Sequence, residues 1–347
     1  MLTKFNTGFL FLLIFCLATG GFTSSSRAAD ALLINGAGAT FPYPIYSKWF
    51  DEYGKSHPDL HFNYQSVGSG AGIRQVSEMT VDFGATDGPM NDDQLKASKQ
   101  KLLHFPTVIG ADVPTYNIPE IKEEINFTGE ALAKIFLGQI TKWNDPEIAR
   151  ANPNVKLPEK EIIVVHRSDG SGTTYIWTDF LSKASHDWQE KVGKGTSVNW
   201  PVGLGGKGNE GVSGLIRQTP YSVGYVELIY AIQNKMDYAK VKNHSGKYIK
   251  ATLGSVSEAA AGVAKTMPDD FRVSITDPPG EGVYPISSFT WLLIPEEIKD
   301  AKKGKAIADF LKWMLHDGQN LTEPLSYAKL PNEIVQKEEK AILKIKY

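Results

Sequence analysis

Three times in this chain, a run of strand length meets a glycine-rich stretch and is followed at once by residues at helical spacing. In ALLINGAGATFPYPIYSKWFDEY, the apolar strand Ala31 to Ile34 runs into Gly36, Gly38 and Thr40, after which Ile45, Trp49, Phe50 and Tyr53 recur on one helical face. Pro42 and Pro44 fall in the opening turn, where a missing N–H costs nothing. In LHFNYQSVGSGAGIRQVSEMT, the alternating strand Leu60 to Val67 meets Gly68, Ser69, Gly70 and Gly72, and a short helix follows. In EIIVVHRSDGSGTTYIWTDFLSKA, the strand Ile162 to Val165 meets RSDGSGTT, and Ile176, Phe180 and Leu181 then share a helical face. Strands alternating with helices through such loops place the chain in the α/β class.

A strand, a glycine-rich loop and a helix start together aim backbone N–H groups and the positive end of the helix at one spot, which makes a general anion receptor. One such loop is explained as an ordinary turn whose glycines satisfy backbone angles. Three of them, with Ser or Thr at the helix starts, point to anion binding. In the third, Arg167 supplies a permanent planar fork that fits an oxyanion, and Asp169 is placed to hold it, although the same two residues also read as a surface ion pair. Ser171, Gly172 and Thr173 offer hydroxyls and unhindered amides at the helix start, where Ser and Thr are also preferred as caps.

Asp87, in VDFGATDGPM, ends a further strand just before Gly88 and Pro89 and reads as a turn residue from spacing alone. Facing an anion, its carboxylate could only accept hydrogen bonds. It would then favour a ligand that carries a proton, as phosphate does near neutral pH and sulfate does not.

The N-terminus sets the compartment. Lys4, the apolar run FLFLLIFCL and the small residues before SSSRAAD form a secretory signal peptide over residues 1–28. The run is too short to span a bilayer, which takes about 20 residues. Cys16, the single cysteine, lies inside it, so the exported chain is expected to have no thiol, disulfide or cysteine metal site. Removing the peptide takes Lys4 and Arg27 but no acid from a chain with 37 basic and 39 acidic residues. The slightly acidic balance that remains argues against nucleic acid as a partner, which needs a basic face.

At roughly 150 residues per domain, the exported length suggests two domains. Pro106 to Pro119 and Gly282 to Ile294 are candidate crossovers, so that the C-terminal part completes the first domain. The expected division is 29–108 with 287–347, and 109–286.

Catalytic patterns are missing: no Gly-x-Ser-x-Gly surrounds a serine, no GxxxxGK[ST] occurs, and GLGGKG at 203–208 follows VNWPV rather than a clear strand and reads as a loop. The histidines form no HExxH, so no metal is expected. His166 adjoins Arg167 on a strand and should face the other way, which makes it a poor base for Ser171.

These residues resemble a known family. GAGATFPYPIYSKW, the GSGAG loop, VDFGATDGPM, FPTVIG, LGQITKWND, VVHRSDGSGT, WPVGLGGKGNEGV and YPISSFTWLLI look like the signature segments of the phosphate-binding proteins of phosphate-specific ABC transporters, in the family's order. The resemblance implies a type II periplasmic-binding-protein fold, with two α/β domains joined by two crossover strands and the ligand in the cleft between them. It also implies capture of inorganic phosphate in the periplasm as a monomer, without cofactor or catalysis, and delivery to a membrane permease and its ATPase. Carried over by position, it implies Thr40 and the Phe41 amide, Ser69, Arg167, Ser171, Gly172 and Thr173 as donors, Asp87 as acceptor for the phosphate proton, and Asp169 as the partner of Arg167. A receptor for sulfate or molybdate, or a secreted phosphatase using Ser171 or Ser69, are the alternatives to that reading.

Overall fold

Residues 31–347 are described by a computed structural model; the expected signal peptide, with Cys16, lies outside the described residues. The strands in chain order are β1 (Leu32–Gly38), β2 (Leu60–Ser66), β3 (Phe83–Thr86), β4 (Leu102–Asn117), β5 (Asn126–Phe127) and β6 (Ile163–Arg167). They continue with β7 (Leu204–Gly206), β8 (Ser222–Glu227), β9 (Asp237–Tyr238), β10 (Lys240–Lys242), β11 (Tyr248–Ile249) and β12 (Ser287–Pro295). The main sheet runs β2-β1-β3-β12-β4-β8-β6-β7 with β9 added to β4, and β11-β10-β5 form a small second sheet. Pairing is parallel among β1, β2 and β3, and again among β8, β6 and β7. Between these two parallel groups, β12 and β4 run antiparallel to their neighbours.

The three anticipated strand–loop–helix units are present. Helices Tyr43–Ser56, Ser69–Ser77 and Gly172–Ala184 follow β1, β2 and β6. One detail differs: Gly36 and Gly38 belong to β1 itself, paired on both sides, rather than to the loop after it. A Cβ on Gly36 would lie 2.0 Å from the Phe83 ring, so the glycine makes room for an aromatic side chain whose burial contributes about 1.5–3 kcal/mol.

GLGGKG also differs from expectation. Leu204–Gly206 pairs in parallel with β6, and the helix Gly208–Gln218 opens directly after it, so this is a fourth unit of the same kind. Three residues with two glycines and an exposed Leu204 carry no apolar period, which is why the strand is silent in the sequence.

β4 is longer than the crossover it was expected to be. Its first part, to Ala111, lies against β12, and its last part, from Asp112, lies against β8. Pro106, which has no N–H to give, sits where the β12 register shifts between Thr290 and Trp291. The helix that follows β12 is Ala301–Leu315, which Asp300 caps by accepting from the Lys302 and Lys303 amides. Among the described residues, no helix is long and apolar enough to cross a membrane.

Candidate functional site

The carboxyl ends of five strands, three from one parallel group and two from the other, point at one place. β1 leads to Thr40 and Phe41, β2 to Ser69, β3 to Asp87, β6 to Arg167 and its loop, and β7 to Asn209. This is where α/β sheets bind ligands, because the helix starts that follow the strands leave amides without acceptors there. Thr40, Phe41, Ser69, Asp87, Arg167, Ser171, Gly172 and Thr173 are brought together and buried, with Asp169 partly buried beside Arg167. The loops touch directly, with the Gly70 amide donating to Gly170 O at 2.9 Å. A Cβ on Gly172 would come within 2.4 Å of both Asp87 Oδ2 and Ser69 Oγ.

Arg167 is 2% exposed and its fork is engaged as expected. Nε donates to Asp169 Oδ1 at 2.8 Å and Nη2 to Oδ2 at 2.6 Å, while Nη1 donates to Thr173 Oγ1 at 3.2 Å. Burial pushes the Asp169 carboxyl up, yet the Arg167 fork and the Gly208 amide hold it below the usual carboxylate range. The pair is therefore ionised and locally neutral, so a bound anion meets a directed cation rather than an excess of positive charge. His166 is turned away, stacked on Trp200 at 4.8 Å between ring centroids, as alternation along a strand requires.

Ser171 caps its helix by accepting from the Thr174 amide at 3.0 Å. The cap leaves the Gly172 and Thr173 amides of the first turn without an intrahelical acceptor. Ser69 Oγ accepts from the Asp87 amide at 3.2 Å and stands 3.5 Å from Asp87 Oδ2. Thr40 O accepts from Tyr230 Oη, and Phe41 O from Tyr327 Oη, each at 2.6 Å, which fixes the first loop from behind.

Asp87 is 1% exposed and accepts from Thr290 Oγ1 at 2.8 Å. Burial pushes its carboxyl up to about 7 against the pull of Thr290, Arg167 and Ser69.

Several residues here had no signal in the sequence. Thr290 reaches Asp87 from the register shift in β12. Asn209 donates from Nδ2 to Thr40 Oγ1 at 2.9 Å and to Thr173 Oγ1 at 3.2 Å, joining the first and third loops. Tyr225 Oη accepts from the Arg167 amide at 3.2 Å and pairs with Thr174 Oγ1 at 2.6 Å. Asp112 and Glu227 oppose each other across β4 and β8, fully buried. Burial, reinforced by Asp87, holds both carboxyls well above their usual range. Among the described residues, no cluster of His, Cys, Asp and Glu could hold a metal ion.

The chain matches the family model of the PBP superfamily domain over residues 23–317. It is 44% identical to the phosphate-binding protein PstS of Xylella fastidiosa (strain Temecula1), over 90% of this chain and 85% of that one. Identity to PstS of Pasteurella multocida is also 44%, over 91% of each, and to PstS of Methanocaldococcus jannaschii 40%, over 90% and 86%. Among solved structures, a phosphate-binding protein from Stenotrophomonas maltophilia superposes with a TM-score of 0.68 at 18% identity, covering 89% of this chain and 94% of that one. An ABC-type phosphate transport receptor from Vibrio cholerae superposes at 0.55 and 19% identity, covering 86% and 100%. These likenesses establish the fold as that of the type II periplasmic binding proteins. By its sequence the chain belongs to the PstS family of phosphate-binding proteins within the PBP superfamily.

Proposed function

We propose that this protein is an extracytoplasmic receptor that captures inorganic phosphate and hands it to an ABC-type import permease and its ATPase, without transforming it. The observation that carries the reading is the convergence of donors from separate strand ends on a buried spot beside the Asp87 carboxyl. Phosphate at neutral pH has oxygens for all the donors and a proton for Asp87. Thr40 Oγ1, the Phe41 amide, Ser69 Oγ, Arg167, Ser171 and the Gly172 and Thr173 amides with Thr173 Oγ1 hold the oxygens. Asp87 takes the proton, and Asp169 keeps the Arg167 fork flat and aimed.

A hydrolytic role finds less support, because Ser171 Oγ serves the Thr174 amide and His166 is stacked elsewhere. The chain divides on this reading into lobes of residues 29–108 with 287–347, and 109–286, which close on the ligand as a monomer. The signal peptide read at 1–28 places it in the periplasm.

Calorimetric titration with phosphate and with sulfate tests this. Phosphate should bind more than about 100-fold tighter, because setting an unprotonated sulfate oxygen against a carboxylate costs several kcal/mol. Equal affinities, or no heat with phosphate, would refute it.

A further inference from the structure

Asn209 opens the helix that follows β7, with no exposed surface, and every hydrogen-bonding atom of its side chain is committed. Its Oδ1 accepts from the Glu227 amide at 3.0 Å. A backbone N–H can only donate, so this contact fixes which end of the carboxamide faces β8 and turns the NH2 group toward the loops. The two hydrogens of that group have two acceptors, Thr40 Oγ1 at 2.9 Å and Thr173 Oγ1 at 3.2 Å.

The consequence falls on the hydroxyls. A threonine hydroxyl has two lone pairs and one proton to give. Thr40 Oγ1 accepts from Asn209 Nδ2 and also from the Asn209 amide at 3.3 Å. Thr173 Oγ1 accepts from Asn209 Nδ2 and from Arg167 Nη1, both at 3.2 Å. With both lone pairs of each oxygen taken, neither hydroxyl can act as an acceptor toward a ligand. Each can only donate, and neither donates to any group among the described residues. Asn209 has no hydrogen left for a ligand of its own, so whatever it does to binding it does through these two threonines.

We infer that Asn209 is a positioning residue that turns the hydroxyl protons of Thr40 and Thr173 toward the bound anion, joining the first and third loops into one donor set. The inference rests on the phosphate reading above, and it adds a residue from the fourth strand–loop–helix unit that does not touch the ligand. The arrangement also explains a selectivity that Arg167 alone cannot supply. Hydroxyls free to rotate would present lone pairs to a ligand N–H or O–H as readily as protons to an oxyanion. Hydroxyls locked as donors accept only the oxyanion.

A double-mutant cycle separates this role from a structural one. Phosphate is titrated calorimetrically into four forms of the protein expressed from the full chain: the parent, Asn209→Ala, Thr40→Val with Thr173→Val, and the triple variant. In the parent background, Asn209→Ala should weaken phosphate binding about 10- to 100-fold, the loss of direction in hydrogen bonds to a charged group. Without the two hydroxyls, the same substitution should change affinity less than about 2-fold, because its only route to the ligand has been removed.

An equal loss in both backgrounds would show that Asn209 merely supports the fold and would overturn the inference, as would unchanged binding in Asn209→Ala. Failure of the parent itself to bind phosphate would refute the functional reading instead. Should Asn209→Ala melt before it can be titrated, NMR of the parent with phosphate gives the answer. The hydroxyl protons of Thr40 and Thr173 should both show scalar coupling to the phosphorus nucleus, and lack of coupling at either one would sink the proposal.

Discussion

At the scale of single residues, the phosphate reading makes Asp87 the group that selects the anion, and its protonation then makes that choice depend on pH. Burial raises its carboxyl to about 7, so near neutrality the unligated protein holds both forms. Above that value the carboxylate only accepts, and it welcomes the proton of phosphate while repelling sulfate. Below it the carboxyl carries a proton and can donate to a sulfate oxygen. Competition by sulfate for the phosphate site should therefore strengthen as pH falls from about 8 to about 5, by roughly tenfold per unit at most. In Asp87→Asn the group can donate at every pH, so sulfate should compete at all of them and the pH dependence should flatten. Competition calorimetry at several pH values measures this, and a steep dependence that survives the substitution would assign it to another group.

Elements, rather than residues, explain which parts of the site were legible. The three strand–loop–helix units could be read because an apolar strand, a glycine run and a helical period stand next to one another in each. Spacing alone left Asp87 a turn residue and Arg167 either an oxyanion fork or half of a surface pair, and the family resemblance is what put both in the site. Asn209 could not be read, since its strand is three residues long and carries no hydrophobic pattern. Thr290 could not either, because its reach to Asp87 depends on a register shift opposite Pro106, and register is a property of two strands.

The glycines of these units do two different jobs, which substitution should separate. A Cβ on Gly72 would meet only backbone, 2.5 Å from Gly38 Cα and 2.7 Å from Ala37 O, where the helix Ser69–Ser77 seats on β1. Gly72→Ala should therefore lower stability by about 1–3 kcal/mol, the usual cost of overpacking. A Cβ on Gly172 would instead meet the side chains of Asp87 and Ser69. Gly172→Ala should weaken phosphate binding about 10-fold or more for the same cost taken at the ligand, since 1.4 kcal/mol is a factor of ten. Denaturant unfolding and calorimetry on both variants test the division of labour, and matched losses in both assays for both variants would contradict it.

At the scale of the whole molecule, the near balance of 37 basic and 39 acidic residues gives the chain little net charge to attract an anion, and the proposed capture would instead work by bringing separate surfaces together. The chain offers a place for such motion. β4 changes partner from β12 to β8 between Ala111 and Asp112, and the Asp112 amide donates to Ile286 O at 2.9 Å, just before β12 begins. Both proposed crossovers thus meet at one level. A further strand of chain spans the same gap: Phe271 O accepts from Trp291 Nε1 at 2.8 Å, while Ser274 and Thr276 each donate to Asp179 Oδ2 at 2.6 Å.

A hinge at that level should carry the third loop and its helix toward the first two, and Trp177 is built to sense it. Its ring stacks on Tyr225 at 4.9 Å, and Tyr225 Oη holds the Arg167 amide and Thr174. Trp49 and Trp143 are instead tied to Gly318 O and Tyr221 O, outside the donor set. Phosphate should therefore change the tryptophan emission and reduce the radius of gyration measured by X-ray scattering. Trp177→Phe should reduce the emission change, to which Trp291 at the hinge level also contributes, and leave the contraction intact, whereas Trp49→Phe and Trp143→Phe should keep both. Saturating phosphate that leaves the radius unchanged would mean that the donors are already in place before the ligand arrives, and the preorganised network of Arg167, Asp169 and Asn209 would then account for binding without a hinge.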